Sequence, residues 1–394
     1  MSRNRQIRNQ KIIITSITTM RILHIVPSYK PAYKYGGTIE SVARLCEELV
    51  RAGEEVTVFT TTANGKKELE VAPGVEHTVD GVKVVYFKRQ TKDHTHASVA
   101  LWKRLHKECG NYDVVHIHSW WNALVLGALF ICKRKKVKTV FSPHGMLSDY
   151  IIQHSNTRIK YIIRSLAGKY LLKSTLLHAT STAELAECRK LIPGWQGAAV
   201  PNIIWLPELP IQKKQNEIFT LLFLSRIHPK KGLEFLMEAV SKINAAIRLQ
   251  IGGTGEEDYL ETLKQKAEEL GITNRIGWLG WKDREEKFEV LAQADLFVLT
   301  SHNENFANVV VESLHAGTPV LLSAEIGLSH FVVQQNLGWI STLQPADIRQ
   351  KLEEAMADRG KRERIKQCAP LIIKKYFSPG TLIPQYLQLY QFPG

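Results

Sequence analysis

Residues 301–320 read S-H-N-E-N-F-A-N-V-V-V-E-S-L-H-A-G-T-P-V, and this stretch decides the fold. Just upstream, Ala294-Asp295-Leu296-Phe297-Val298-Leu299 is the kind of short apolar run that forms a strand covered on both faces of a parallel sheet. A mainly polar loop follows Thr300, after which Val309, Val310, Leu314 and Ala316 recur at helical spacing. Asn308 is placed to cap that helix, Gly317 to end it and Pro319 to open the next strand. The unit is strand, loop and helix, with Glu304 on the loop and Glu312 about one turn inside the helix. A loop beyond the carboxyl end of a parallel strand, facing free helix N–H groups, is where α/β sheets bind anions. Two carboxylates there would repel a phosphate unless the ligand also carries hydroxyl groups for them to accept from. The plainer alternative is that Glu312 complements the helix dipole while Glu304 is solvated.

Working outward, the strand-and-helix rhythm fills the chain. In the first half, Ile22 to Val26, Glu55 to Thr60, Val82 to Phe87, Val114 to His118, Lys138 to Phe141 and Leu176 to Ala179 are short β-branched runs with helical stretches between most of them. In the second, Thr220 to Leu224, Arg248 to Ile251, Ile276 to Leu279, Leu296 to Leu299, Val320 to Leu322 and Gly338 to Ile340 repeat the pattern. Between them lies a Pro-rich and polar segment, 206–217, that reads as a linker. The expectation is an α/β protein of two tandem doubly wound, Rossmann-like domains, 20–205 and 218–375, facing a central cleft. Residues 376–394 read as a last amphipathic helix that returns to the first domain. Residues 1–19, ahead of the strand at Met20 and Arg21, read as a disordered N-terminal extension.

At 394 residues with 44% apolar and 23% charged side chains, the chain is globular and long enough for two cores. Five scattered cysteines without a C-x-x-C pair argue for a reduced, cytoplasmic protein. No apolar run approaches the ~18 residues that span a bilayer. Charge is divided unevenly: residues 1–205 carry 30 Lys and Arg against 15 Asp and Glu, the remainder 22 against 23. A basic half joined to a neutral one points to an anionic surface met by the first domain alone.

Several loops carry chemistry. Ser225-Arg226-Ile227-His228-Pro229-Lys230-Lys231-Gly232 follows a strand, so that Arg226 offers a planar fork and Lys231 a point charge to a diphosphate. Gly253, in Gly252-Gly253-Thr254-Gly255, permits close backbone approach. Gly36 and Gly37 open the first domain's first helix, either beside a ligand or in an ordinary tight turn. His144, in Pro143-His144-Gly145, lies beyond a strand end and reads either as a cleft residue or as structural. His116 and His118 alternate along a strand, which is expected to turn one of them inward; with no Cys or carboxylate at ligand spacing they read as structural, and no metal site is expected. Arg158 to Lys173 sets an apolar helical stripe among basic residues, able to lie on an anionic membrane or to pack on the sheet.

Taken in order, Gly36-Gly37, Pro143-His144-Gly145, Leu177-His178-Ala179-Thr180-Ser181, Val200-Pro201-Asn202, Ser225-Arg226 through Lys231-Gly232, Gly253-Thr254-Gly255, and Glu304 with Glu312 in an E-x7-E arrangement followed by Ala316-Gly317-Thr318-Pro319-Val320 resemble the retaining glycosyltransferases of family four, which have the GT-B fold. The match runs from about Met20 to Tyr390. The resemblance implies that Arg226 and Lys231 hold the donor diphosphate, Glu312 the ribose hydroxyls and Glu304 the donor sugar. Backbone N–H groups of Asn305, Phe306 and Ala307 would touch sugar and phosphate, main chain at Trp278 and Leu279 the base, and Gly36, Gly37 and Gly253 the phosphate region. His144 would sit by the reacting carbon, making His144, Glu304, Arg226 and Lys231 the catalytic set. Two departures from the family pattern stand out: Ala307 where Gly is common, which would strain a positive backbone angle, and Ile203 where Gly often follows Pro-Asn.

The implied activity is hexosyl transfer with retention from a nucleotide sugar, UDP-sugar before GDP-mannose, to a glycan acceptor, expected to be lipid-linked, in cell-surface polysaccharide or lipopolysaccharide synthesis. No cofactor or metal is called for. The basic first domain would bring the enzyme to the inner face of the membrane as a peripheral protein. A nucleic-acid-binding protein would use the same basic half but leaves Glu304 and Glu312 unexplained, and no nucleic acid partner is expected. A nucleotide-sugar epimerase of GT-B shape would instead release products without an acceptor.

Overall fold

The computed structural model describes residues 19–33, 36–65, 67–91, 93, 95–153, 168–208 and 216–392. The expected extension 1–19, all but Thr19, most of the basic helix Arg158 to Lys173 and the middle of the linker lie outside the described residues.

The first sheet comprises β1 (Arg21–Ile25), β2 (Glu55–Thr61), β5 (Glu76–Val79), β6 (Val82–Phe87), β7 (Val114–His118), β8 (Thr139–Ser142), β9 (Leu176–Ala179) and β10 (Gly197–Ala199); β3 (Ala63–Asn64) and β4 (Lys67–Glu68) form a separate small ribbon. The second sheet comprises β11 (Phe219–Leu224), β12 (Ile247–Gly252), β13 (Ile276–Gly280), β14 (Leu296–Leu299), β15 (Val320–Ser323) and β16 (Gly338–Ser341). Their orders are β10-β9-β8-β7-β1-β2-β6-β5 and β13-β12-β11-β14-β15-β16. Each therefore begins near its centre and reverses direction once, between β1 and β7 in the first and between β11 and β14 in the second. That is the doubly wound arrangement, in which ligands bind outside the carboxyl ends of the two strands flanking the reversal. The pairing is parallel except at one edge, where β5 runs antiparallel to β6. The sequence reading named no strand at Glu76–Val79, whose alternating exposure marks a half-covered edge.

Burial explains why these runs become strands. β7, β8, β9, β14 and β15 are covered at every position, so each is apolar or β-branched almost throughout instead of alternating. Leu221, Phe223, Leu249, Ile251, Phe297 and Leu321, all with no accessible surface, centre the second core. The first domain has two apolar clusters, one on each face of its sheet. The helix Pro379–Gln391 belongs to one of them: Leu382, Ile383, Tyr386, Leu389 and Tyr390 are buried among Ile22, Val26, Val42 and Val84 of the first domain. Removing two buried tyrosines from such a core forfeits on the order of 2 kcal/mol each in lost burial alone. No helix among the described residues is long and apolar enough to cross a membrane, and the cysteines are free.

Candidate active site

The reversal in the second sheet makes β11 and β14 neighbours, Leu221 pairing with Leu296 and Leu222 with Phe297. The loops that leave their carboxyl ends are thereby pressed together. Gly232 closes the first loop in the left-handed region, φ 62°, and a Cβ there would stand 2.2 Å from the Thr300 carbonyl oxygen. Only glycine permits that approach. Thr300 Oγ1 donates to the Gly232 carbonyl at 2.8 Å, and the His302 N–H to the Lys230 carbonyl at 2.9 Å. The consequence is an ion pair between Lys231 Nζ and Glu304, each largely covered. Arg226, exposed on the same loop, contributes with Lys231 and Lys230 to holding the exposed His228 below its ordinary pKa, after partial desolvation. Three cations and one carboxylate thus stand at one sheet reversal. Gly253 borders them: its N–H donates to Gly280 at 2.8 Å, and a side chain on it would overlap the Ser225 carbonyl. Trp278 lies on β13, in register with Ile251 of β12 and partly exposed, beside Leu279.

The loop carrying Glu304 is pinned by its N–H to the Glu325 carbonyl, 3.1 Å, and by the Gly327 N–H to its own carbonyl, 2.7 Å. The buried Phe306 ring anchors the loop against Phe377. Main-chain N–H groups of Asn305, Phe306 and Ala307 find no acceptor among the described residues. Ala307 has φ 67° and ψ 79°, the left-handed angle that the sequence marked as costly for alanine. Asn308 is not the cap that the sequence led us to expect. Ala307 takes that position with no side-chain hydrogen bond, and Asn308 becomes the first residue of the helix Asn308–His315. Its amide faces the other domain instead, accepting from Asn202 Nδ2 at 3.1 Å and standing against Gly37.

Glu312 occupies a second, adjoining place. It is buried and paired with Lys287 at 2.6 Å, and burial raises its pKa above the carboxylate norm against the pull of Lys287. It lines a narrow interdomain crevice with Arg284, Lys287 and Asn308 on one side, Glu40 and Arg44 on the other, and Trp205 at the crossover. The structure therefore gathers Arg226, Lys231 and Glu304 at the sheet reversal and sets Glu312 in the neighbouring crevice, with Asn308 lining that crevice and Gly37 lying against it. Lys287, Arg284 and Trp205 have no motif in the sequence; only the fold brings them there.

His144 reaches this region from the first domain. It leaves the end of β8 with φ 51°, followed by Gly145 at φ 76°, two successive left-handed residues. The Gly145 Cα sits so near Asn305 that a Cβ would stand 3.0 Å from the Asn305 Cβ. Asn305 Nδ2 in turn donates to Thr180 Oγ1 at 2.7 Å and to Glu184 at 3.4 Å. Glu184 is the residue that sequence reasoning missed. Ser181-Thr182-Ala183-Glu184 has the spacing of a helix capping box, which conceals a second role. Its buried carboxylate accepts from the N–H groups of Gly145 and Thr180 and from Asn305, tying the His144 loop to the Glu304 loop. Burial raises its pKa while those donors oppose the rise.

His116 and His118 correct another expectation. Residues two apart on a strand share a face, and both rings are fully buried with centroids 4.1 Å apart.

Two family models match the chain, "Glycosyltransferase Family 4" over residues 35–204 and "Glycosyl transferases group 1" over 207–371. The chain belongs to glycosyltransferase family four. Among its relatives, an uncharacterized glycosyltransferase of Methanocaldococcus jannaschii is 26% identical over 94% of this chain and 98% of its own length. A lipopolysaccharide core biosynthesis glycosyltransferase of Rhizobium meliloti, LpsE, is 30% identical over 43% of this chain and 48% of its own. The Anabaena protein HepE in complex with UDP-glucose superposes with a TM-score of 0.72 at 21% identity, covering 94% of this chain and 98% of its own, which shows the GT-B fold.

Proposed function

We propose that this glycosyltransferase moves a hexose, with retention, from a nucleotide sugar to a glycan acceptor, with 218–375 as the donor-binding domain and 20–205 as the acceptor-binding domain. The observation that carries the reading is the pairing of Lys231 with Glu304 at the second sheet's reversal, beside Arg226 and beneath the His144 loop. A nucleotide diphosphate entering there meets Arg226, Lys231 and the free N–H groups of residues 305–307. Displacing Glu304 from Lys231 frees its carboxylate to accept from sugar hydroxyls. Glu312 serves the ribose, and main chain at Trp278 and Leu279 the base. UDP is favoured over GDP, in keeping with relatives of the same fold that carry UDP or UDP-glucose.

Negative charge grows on the departing diphosphate, so Arg226 and Lys231 stabilise the transition state more than the ground state. The departing phosphate takes the acceptor proton on the face from which it leaves, which preserves the anomeric configuration. His144 stands by the sugar with a half-buried, neutral ring: desolvation, then His178, holds its pKa at about 3. The basic first half suits a lipid-linked, anionic acceptor and an anionic membrane surface at the inner face, in cell-surface polysaccharide or lipopolysaccharide synthesis. No metal or cofactor is assigned a part in the reaction.

Thermal-shift screening against UDP- and GDP-sugars tests the donor, and NMR of the product tests retention. Arg226→Ala should lower kcat by about 10². Near-native turnover in that variant, or release of free sugar and nucleotide without an acceptor, would overturn the assignment.

A further inference from the structure

Four histidines, His24, His116, His118 and His178, crowd the sheet beneath His144, and the hydrogen bonds of the five rings form two separate chains. In one, Tyr390 Oη meets His116 Nδ1 at 2.9 Å, His116 Nε2 meets Ser142 Oγ at 2.6 Å, Ser142 Oγ meets His178 Nδ1 at 2.6 Å, and His178 Nε2 meets the Val200 carbonyl at 2.9 Å. A carbonyl only accepts, so every proton in this chain is determined. His178 donates from Nε2, Ser142 donates to its Nδ1, His116 donates from Nε2 to Ser142, and Tyr390 donates to His116.

The second chain runs His144 Nε2 to His118 Nδ1 at 3.0 Å, then His118 Nε2 to His24 Nδ1 at 2.9 Å. It ends at His24 Nε2, which is buried with no partner among the described residues. The rings lie nearly parallel, at 21° and 10° to their neighbours. A neutral imidazole carries one proton, so the chain has two possible polarities. One leaves a buried N–H at His24 with nothing to bond. The other leaves only a bare ring nitrogen there, and orphaned N–H groups are the rarer and costlier of the two in folded proteins. In the second polarity His24 Nδ1–H donates to His118, and His118 Nδ1–H donates to His144 Nε2. The proton of His144 must then reside on Nδ1, the nitrogen that has no partner among the described residues.

We infer that His118 and His24 are positioning residues that hold His144 as its Nδ1–H tautomer, a neutral donor offered to an oxygen of the bound sugar. Burial keeps the array uncharged: His24 and His144 are held at about 3, and His118 well below its ordinary value. A metal ion is a poorer occupant of the His24, His116 and His118 cluster, whose ligand atoms lie within 4.8 Å of one another. Both nitrogens of His116 and His118 are already engaged, leaving one free donor atom where a structural or catalytic site needs at least three.

The inference rests on the proposed place of His144 beside the donor sugar, but its first test needs no substrate. Protein labelled with 15N-histidine, with His144 assigned by difference from His144→Gln, should show protonated Nδ1 and bare Nε2 at His144 in the free enzyme. A proton on Nε2 overturns the inference and leaves the donor assignment, tested by nucleotide-sugar binding, untouched. The second test compares His118→Phe, which cannot donate, with His118→Gln, which can. Phe should mix the two His144 tautomers and lower kcat about 3- to 10-fold, the worth of one hydrogen bond, with the donor KM within about twofold. Gln should restore most of kcat. Equal kcat in the two variants, or a single Nδ1–H tautomer persisting in His118→Phe, refutes it. If His118→Phe does not fold, the wild-type spectrum decides alone.

Discussion

Acidifying the protein from about pH 7.5 to about pH 5.5 should loosen the first domain well before the second. His24, His116, His118 and His178 are all but inaccessible, and burial depresses each of their pKa values, to about 3 for His24 and about 4 for His178. In the unfolded chain each titrates near 6.5. Because the folded values are the lower ones, the unfolded state takes up protons first. The stability these rings permit is complete above pH 6.5 and is lost as the pH falls below it toward the folded values. Over the two units considered, one ring loses about 1.4 kcal/mol. Four rings together lose about 5 kcal/mol, comparable with the whole stability of an ordinary domain. Glu184 acts in the opposite sense, since its raised folded pKa relieves a penalty as the pH falls, so a net loss of at least about 3 kcal/mol is expected. Amide hydrogen exchange over β7, corrected for the intrinsic effect of pH, reads the opening free energy directly. Peptides over β14 serve as the internal reference, since that strand carries no histidine. A change over β7 smaller than about 1 kcal/mol, or one equal to that over β14, would refute the reasoning.

Ala307→Gly should stabilise the protein by up to about 1 kcal/mol in denaturant titrations, because it removes a left-handed alanine from the helix start; a loss of stability would show that the angle costs nothing here. Gly145→Ala adds a Cβ 3.0 Å from Asn305 on a backbone that already disfavours it, and should lower kcat at least tenfold while nucleotide affinity, which the proposed function assigns to the other domain, stays within about threefold. Native turnover in Gly145→Ala would mean that the two loops part freely during the reaction. Glu312→Gln frees Lys287 from its carboxylate and removes an acceptor from the crevice, so the donor KM should rise about 10-fold or more with a smaller change in kcat; an unchanged KM would remove Glu312 from the ribose.

Much of this architecture is legible in the sequence because parallel strands covered on both faces must be apolar throughout, and such runs as Leu296 to Leu299 stand out from amphipathic helices. The loops that follow them, with Arg226, Lys231, Glu304 and His144, are found by the same signal, since they lie where strands end. Strand order is different. Nothing local says that β11 lies beside β14, yet that adjacency alone joins Lys231 to Glu304 across 73 residues. Lys287 with Glu312, Asn305 with Thr180 and Tyr390 with His116 depend in the same way on pairing across the fold. Two misses have local causes. Asn308 has the chemistry of a helix cap but stands one residue too late, behind a left-handed alanine that only the constraint of the neighbouring loops holds in place. His116 and His118 already share a face by the two-residue period of a strand; an expectation of one inward ring misapplies that period.

Because the helix Pro379–Gln391 completes a core begun at Ile22, the first domain is built from segments that lie on either side of the second in the chain. A ribosome presents the first sheet long before Tyr386 and Tyr390 exist to cover it, and His116 lacks its tyrosine donor until residue 390 is made. Termination before this helix would therefore injure the part of the molecule made earlier.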